Sequence, residues 1–380
     1  MLRFTPEHEA FRDSVRQFVQ REIAPHVNAW DEAGSFPREL YRRAAELGLL
    51  GLGYPEALGG TPGDTGFRLI ATEEIARAGS GGLLASLFSH QIALPPVVAC
   101  GSAALQQRIV PPVLAGERIA ALAITEPGGG SDVARLRTRA RRDGDHWVID
   151  GEKVFITSGL RADWITTAVR TGGPGPTGIS LIGVPGDAPG LTRTPLQKMG
   201  WWCSDTALLR FDHCRVPLDH LIGEENTGFR TIMENFNGER LMLAAGTWAF
   251  GEVCYDEALQ WAQQRETFGQ RLVQHQVIRH KLMDLRMRLD STRHWLHALA
   301  AQLDAGDTGP RWVAELCLLK NHATQTMQHC ADQAVQLLGG MGYMRGTKSE
   351  RIYREVKVMT IGGGTEEVMK ELAARQLGVG

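Results

Sequence analysis

Two short segments of this 380-residue chain carry residue types suited to holding a flat heterocycle. In Ala123-Ile-Thr-Glu-Pro-Gly-Gly-Gly-Ser-Asp132 a strand-like stretch runs into three glycines, Gly128 to Gly130, whose amides are free to face a ligand. In Gly151-Glu-Lys-Val-Phe-Ile-Thr-Ser-Gly159 a second strand pattern ends with an aromatic ring, Phe155, and a hydroxyl, Thr157, two residues apart. Together they could hold a hydrogen-bonding ring between backbone and side chains. A further run, Gly362 to Gly364, gives a backbone that can approach a ligand closely, or that simply needs positive φ before a helix. Gly128–Gly130 is not a dinucleotide loop: the G-x-G-x-x-G spacing is incomplete and no strand–helix–strand unit surrounds it. His294-x-x-His297 would put two imidazoles near one helix face, but no acidic or Cys ligand lies close in sequence.

The elements that must position these residues change character along the chain. Thr5-Pro6-Glu7 is a helix start, and Phe11, Val15, Phe18, Val19 and Ile23 fall on one helical face. Helical stretches around 37–49, 66–77 and 104–115 follow, so residues 1 to about 120 read as a helical domain. From 121 to about 225 short strands dominate: Trp147–Asp150 runs into a hairpin-like Asp150-Gly151, followed by 178–184, 191–195 and 208–216. Residues 226–380 return to long helices, clearest over 272–299 with Val273, Val277, Leu282, Leu285 and Leu289 at helical spacing.

With 41 basic against 43 acidic residues, global charge argues against a nucleic-acid binder. Arg135, Arg137, Arg139 and Arg141 alternate along an expected strand beside Arg142, either as a solvated face or as a patch for an anionic ligand. Six scattered cysteines read as free core thiols of a reducing compartment. No apolar run has the length of a membrane span and the N-terminus has no signal pattern, so cytoplasm is the expected location.

Nearly the whole chain resembles the acyl-CoA dehydrogenase family. The opening segments carry the resemblance together with Lys198-Met-Gly-Trp-Trp-Cys-Ser-Asp-Thr206, Arg265-Glu-Thr-Phe-Gly269, His275-Gln276, Gln336-Leu-Leu-Gly-Gly340 and Gly363-Gly-Thr365, in order. The resemblance implies an α+β multidomain fold: an N-terminal helical domain, a middle β-barrel and a C-terminal four-helix bundle. It also implies bound FAD, a homotetramer, and electron-transfer flavoprotein as electron acceptor. The implied reaction removes two hydrogens across Cα–Cβ of an acyl-CoA thioester, with a base taking the α-proton and the flavin N5 the hydride.

The family places its base Glu at one of two positions. One lies two residues before the Thr of the C-terminal motif, and is here Gly363. The other lies on the first helix of the C-terminal domain immediately before an Arg, and is here Glu239 in Asn237-Gly-Glu-Arg-Leu241. The resemblance thus implies Glu239 as base, as in long-chain and isovaleryl-type members; read alone, the residue could be a helix-surface Glu paired with an Arg. For FAD it implies Leu122, Ile124 and Thr125 at the isoalloxazine edge, Phe155 and Thr157 on the far side, and Ser131 at a phosphate or substrate contact. Arg265, Phe268, Gln276, Gln336 and Gly340 would meet the adenine-pyrophosphate half across a subunit interface. Thr365 would cap the last helix, with Glu367 at a flavin-contact position. Phe236, Asn237 and Arg240 fall where relatives shape the CoA and thioester pocket, and the Gly363-Gly364 backbone would meet the thioester oxygen. Trp201-Trp202 departs from relatives and could narrow a substrate entry or fill an interface. Same-fold rivals are a flavin monooxygenase, against which Glu239 argues, and a dehydrogenase of carrier-protein-bound acyl groups. A non-catalytic acyl-CoA-binding protein is the rival from another class.

Overall fold

The structure, a computed structural model, describes residues 2–379. Helix α1 (Pro6–Phe18) begins where the Thr5 hydroxyl accepts from the His8 amide and His8 Nδ1 in turn receives the Thr5 N–H. Its apolar face continues through a wider turn, Val19–Ile23, and buries Val15, Val19 and Ile23. Helices α2 (Val27–Ala33), α3 (Glu39–Glu46), α4 (Thr65–Ala76), α5 (Gly81–Leu87), α6 (His90–Ala93), α7 (Pro95–Cys100) and α8 (Ala103–Leu114) complete the N-terminal domain.

The middle domain is one eight-stranded sheet. Its strands are β1 (Ala120–Ala123), β2 (Arg139–Asp143), β3 (His146–Thr157), β4 (Trp164–Arg170), β5 (Ile179–Pro185), β6 (Leu191–Pro195), β7 (Thr206–Pro217) and β8 (Leu221–Ile222). The order is β6-β7-β3-β2-β4-β5-β8, with β1 added parallel to β4. Asp150-Gly151 does not turn the chain as expected. β3 runs through it, antiparallel to β7, and Gly151 (φ +142°) sits at a register shift. A Cβ there would lie 2.7 Å from Thr138 Cα, so glycine serves a close backbone approach. The hairpin lies earlier, at Gly144-Asp145, with Asp143 opposite His146 and Gly144 at φ +61°. The alternating arginines do not share one strand either: Val133–Arg135 forms a 3₁₀ turn, and only Arg139, Arg141 and Arg142 lie on β2.

The C-terminal domain comprises α9 (Gly228–Gln264), the small hairpin β9 (Glu266–Thr267) and β10 (Gln270–Arg271), α10 (Gln276–Asp304), α11 (Pro310–Leu338), α12 (Lys348–Ile361) and α13 (Glu366–Gln376). Trp248, Phe250, Leu285, Leu289 and Met327 anchor its core. Leu282, Leu285 and Leu289 are buried as their spacing suggests, whereas Val277 is exposed near the start of α10. Helix α9 abuts the sheet at Gly228, where a Cβ would lie 2.8 Å from the Ser180 carbonyl carbon. Five cysteines are buried and Cys100 is exposed, all unpaired.

The paired indoles fill a junction between domains. The guanidinium groups of Arg345 and Arg354 lie over the Trp202 ring, 4.3 and 3.9 Å from its centroid, and the indole N–H donates to the Lys198 carbonyl. The Trp201 amide and the Gly81 amide both donate to Glu355 of α12, at 3.2 and 2.7 Å. Buried Arg351 reaches the Gly79 carbonyl at 3.0 Å.

A buried ion pair orders the β1–β2 connection. Lys153 donates to the Ile124 carbonyl and to Glu126, both at 2.9 Å, while Glu126 also accepts from the Arg137 and Thr138 amides. Burial draws the Lys153 ammonium down to about 8, against the pull of Glu126. Burial also acts to raise Glu126, but the Lys153 charge and the donated hydrogen bonds outweigh it and hold the carboxyl below its usual value. Removing the carboxylate strands a buried ammonium. Glu126→Ala is therefore expected to cost about 3–5 kcal/mol, and more than Lys153→Met, whose partner keeps two amide donors. Thermal unfolding midpoints of the two variants check this order.

Candidate active site

The flavin-type cradle forms at one end of the sheet. The Val154 amide donates to the Thr125 carbonyl at 2.9 Å, which sets the exit of β1 beside the last residues of β3. Phe155 is 68% exposed despite its size and takes φ +62°, an uncommon conformation for a bulky residue that turns its ring out of the core. Leu122, Thr125 and Thr157 are half-buried nearby in the chain path, so an apolar ring and two hydroxyl-bearing residues gather at this end. This set fits a flat, hydrogen-bonding isoalloxazine. Ile124, between Leu122 and Thr125 in the chain, is buried and its carbonyl is bonded to Lys153. Ser158 also has positive φ, but its buried hydroxyl donates to Ser89 and is committed to the fold. Ser131 is exposed on the glycine-rich loop.

A second constellation joins three helices. Glu239 lies on α9, and the glycine run Gly362–Gly364 joins α12 to α13. A Cβ at Gly363 would lie 2.7 Å from Leu243 Cδ1 and 3.8 Å from Glu239 Oε1. The two alternative positions for an acid are therefore neighbours in space, and the missing side chain at 363 leaves room for the carboxylate from α9. Arg240 is buried and does not pair with Glu239. Its Nε donates to the Gly363 carbonyl at 3.3 Å and its Nη1 to Asn237 Oδ1 at 3.0 Å, while its guanidinium lies 5.7 Å from the Phe236 ring centroid. Phe236 and Asn237 thus flank Arg240, which holds the glycine loop. The surface ion pair that the sequence left open is not what forms.

Glu239 retains partial exposure, yet it is deeply enclosed by protein. Burial raises its pKa to about 7; the Arg240 guanidinium and the Lys320 ammonium oppose that rise. No hydrogen bond ties the carboxylate to another described residue. It is a carboxylate held close to neutrality and free to take a proton.

Thr365 caps α13 as expected, accepting from the Val368 amide, with Glu366 and exposed Glu367 in the first turn. Arg265, Phe268 and Gln276 stand elsewhere, on the β9–β10 hairpin and the start of α10. Phe268 is 98% exposed at φ +52°, an aromatic ring with no place in its own core. Gln336 and Gly340, at the end of α11, are exposed too. On the β-domain, Arg135, Arg137, Arg139, Arg141 and Arg170 line a separate cavity of about 1000 Å³. Arg170 is held by the Leu136, Ala134 and Gly175 carbonyls. Among the described residues the other four have no carboxylate partner, a pattern that fits an anionic ligand better than a self-neutralised surface. Nothing local in the sequence marks Glu126, Lys153 or Lys320 as buried charges, since their partners lie 27 and 44 positions apart.

Three contiguous domains of this kind, with a flavin-type cradle and an enclosed carboxylate, define a three-domain flavoenzyme architecture, and comparison with known proteins gives the family. The acyl-CoA dehydrogenase N-terminal, middle and C-terminal domains match residues 5–117, 121–214 and 226–378. Long-chain specific acyl-CoA dehydrogenase from Sus scrofa is 36% identical over 378 residues, covering 98% of this chain and 87% of that protein. Isovaleryl-CoA dehydrogenase from Oryza sativa is 34% identical over 99% of this chain and 92% of its own. A solved chain from Mycobacterium smegmatis, named for the same family, superposes with TM-score 0.97 at 48% identity over 99% of both chains. The chain belongs to the acyl-CoA dehydrogenase family: it is an FAD-dependent oxidoreductase acting on acyl-CoA.

The raised pKa has a stability consequence. The folded state holds the Glu239 proton more tightly than the unfolded chain does, so ionisation between about 4.5 and about 7 costs stability. Glu239→Gln removes that cost. The variant is expected to match the parent only below the unfolded-state value of 4.5, at about pH 3.5, and to exceed it at pH 8 by on the order of 3 kcal/mol. Thermal midpoints of both proteins across this range check the sign, and other titrating groups cancel in the difference.

Proposed function

We propose that this enzyme converts an acyl-CoA to the trans-2-enoyl-CoA, with Glu239 as the base that removes the α-proton. The observation that carries this reading is the enclosed carboxylate beside Gly363, poised near pH 7 and committed to no other group. Bound FAD supplies the hydride acceptor. Leu122, Thr125, Phe155 and Thr157 would hold its ring, with Ser131 and Glu367 nearby along the cofactor. The chain's own part is to enclose the thioester between that cradle and α9, so that proton removal occurs in a site shielded from bulk water. The Gly363 and Gly364 amides donate to no described residue and can take the thioester oxygen, stabilising the negative charge that develops there.

A base carried by α9 leaves the turn at Gly363 without a side chain, which suits long or branched acyl groups. The names of the relatives agree in direction: one is specific for long chains and another acts on isovaleryl-CoA. Phe268 and Arg265 would complete the cofactor site of a neighbouring subunit in a homotetramer, which accounts for an aromatic ring left in solvent. Electron-transfer flavoprotein is the proposed acceptor.

Anaerobic flavin reduction by a panel of straight and branched acyl-CoAs tests the reading. Reduction is expected to be fastest with medium, long or branched chains and to fall roughly 10³-fold in Glu239→Gln. An unchanged rate in that variant at saturating substrate would remove Glu239 from the role of base. Strict preference for butyryl-CoA would overturn the proposed substrate range.

A further inference from the structure

One buried charge beside the glycine loop has no part in the reaction described above. Lys320 of α11 is fully buried, and its ammonium donates to a single protein oxygen, the Gly364 carbonyl, at 2.8 Å. No carboxylate of the described residues pairs with it at ion-pair distance. Burying an ammonium with so little compensation costs several kcal/mol. A methionine would fill the same volume without that penalty, so packing alone does not explain the residue.

Its placement does. The run Gly362–Gly364 has no side chains to fix it, and Gly363 and Gly364 take φ values of +68° and +105°. The Gly362 amide is tied to the Val358 carbonyl at 2.7 Å, the Gly363 carbonyl to Arg240, and the Gly364 carbonyl to Lys320. The groups left untied are the amides of Gly363 and Gly364. Two cations from different helices thus clamp the loop by its carbonyls and leave its donors available.

We propose that Lys320 is a positioning residue for thioester activation: with Arg240 it clamps the glycine loop, fixes the Gly363 and Gly364 amides toward the substrate oxygen, and supplies positive charge opposite Glu239. This rests on the reading of Glu239 as base. The charged groups that bear on Lys320 are Glu366 on α13, Arg240 and Glu239 on α9, and Cys317 on its own helix. Burial draws the ammonium down to about 8, the two carboxylates opposing. The Lys320 charge favours ionisation of the Glu239 carboxyl.

Holoenzyme carrying Lys320→Met or Lys320→Gln, with Glu239→Gln in parallel, tests the proposal. The readouts are flavin reduction against pH and the infrared carbonyl stretch of a bound trans-2-enoyl-CoA labelled with ¹³C at the thioester carbon. Lys320→Met is expected to slow reduction about tenfold to hundredfold with KM little changed. It should return the carbonyl stretch toward its value in solution and move the acid limb of the rate profile to higher pH. Lys320→Gln keeps a donor without the charge, so it should preserve more of the carbonyl shift while its acid limb moves like that of the Met variant. Wild-type rates, an unmoved acid limb and an unchanged carbonyl stretch in the folded variants would overturn the proposal. Should Lys320→Met not fold, an unmoved acid limb and wild-type rate in Lys320→Gln would do so alone. The infrared readout does not involve proton removal. If Glu239→Gln reduced flavin normally while the Lys320 variants lost the carbonyl shift, the base assignment would fail and the clamp would stand.

Discussion

The absence of a side chain at Gly363 and the presence of one at Glu239 are two halves of a single constraint. Leu243 fills the space a Cβ at Gly363 would need and Glu239 Oε1 lies just beyond it, so the loop and α9 approach this closely because that position is glycine. The approach encloses the carboxylate, and enclosure raises its proton affinity to a useful range. A carboxylate at its ordinary pKa would be a weaker base for an α-proton, and a fully solvated one would exchange with water. The same contact brings α9 close to the glycine loop, so the proposed base and the proposed oxyanion donors depend on one packing arrangement.

The supporting structure spends its polar groups on holding backbone in place. Glu126 and Lys153 fix the β1–β2 connection, Arg240 and Lys320 fix the C-terminal loop, and Glu355 ties the Trp201 and Gly81 amides to α12. Each site segment is a glycine-rich or irregular stretch that could not hold its shape unaided. Buried charge is a costly way to impose shape, and removing one partner leaves the other exposed to the full desolvation penalty. That penalty applies to the one ion pair among them, Lys153–Glu126; the other charges are held by backbone groups.

Much of the architecture was legible because periodicity and punctuation agreed. Thr5-Pro6, the apolar stripe of α1 and the short strands bounded by Gly and Pro all appear where the sequence places them. Asp150-Gly151 misled because glycine serves turns and close backbone approaches alike, and only Thr138 packed against it tells them apart. Val277 misled because helical spacing does not say which end of a stripe lies beyond the core. The order of motifs pointed to Glu239, yet its freedom from Arg240 could not be read there, since adjacent Glu and Arg suggest a pair. The partner of Arg240 is a backbone carbonyl over a hundred positions away, a contact no local pattern encodes. Lys320 was illegible for the same reason.

The central claim is that Glu239 takes a proton from the carbon next to the thioester, and proton exchange measures that step without oxidation. An acyl-CoA in which sulfur replaces the β-methylene, deuterated at the α-carbon, can lose the α-deuteron but cannot deliver a hydride. The wild-type holoenzyme should wash that deuterium into water while its flavin stays oxidised, and Glu239→Gln should leave the label in place. Washout at the wild-type rate from the Gln variant would show that another group removes the proton, and would contradict the account.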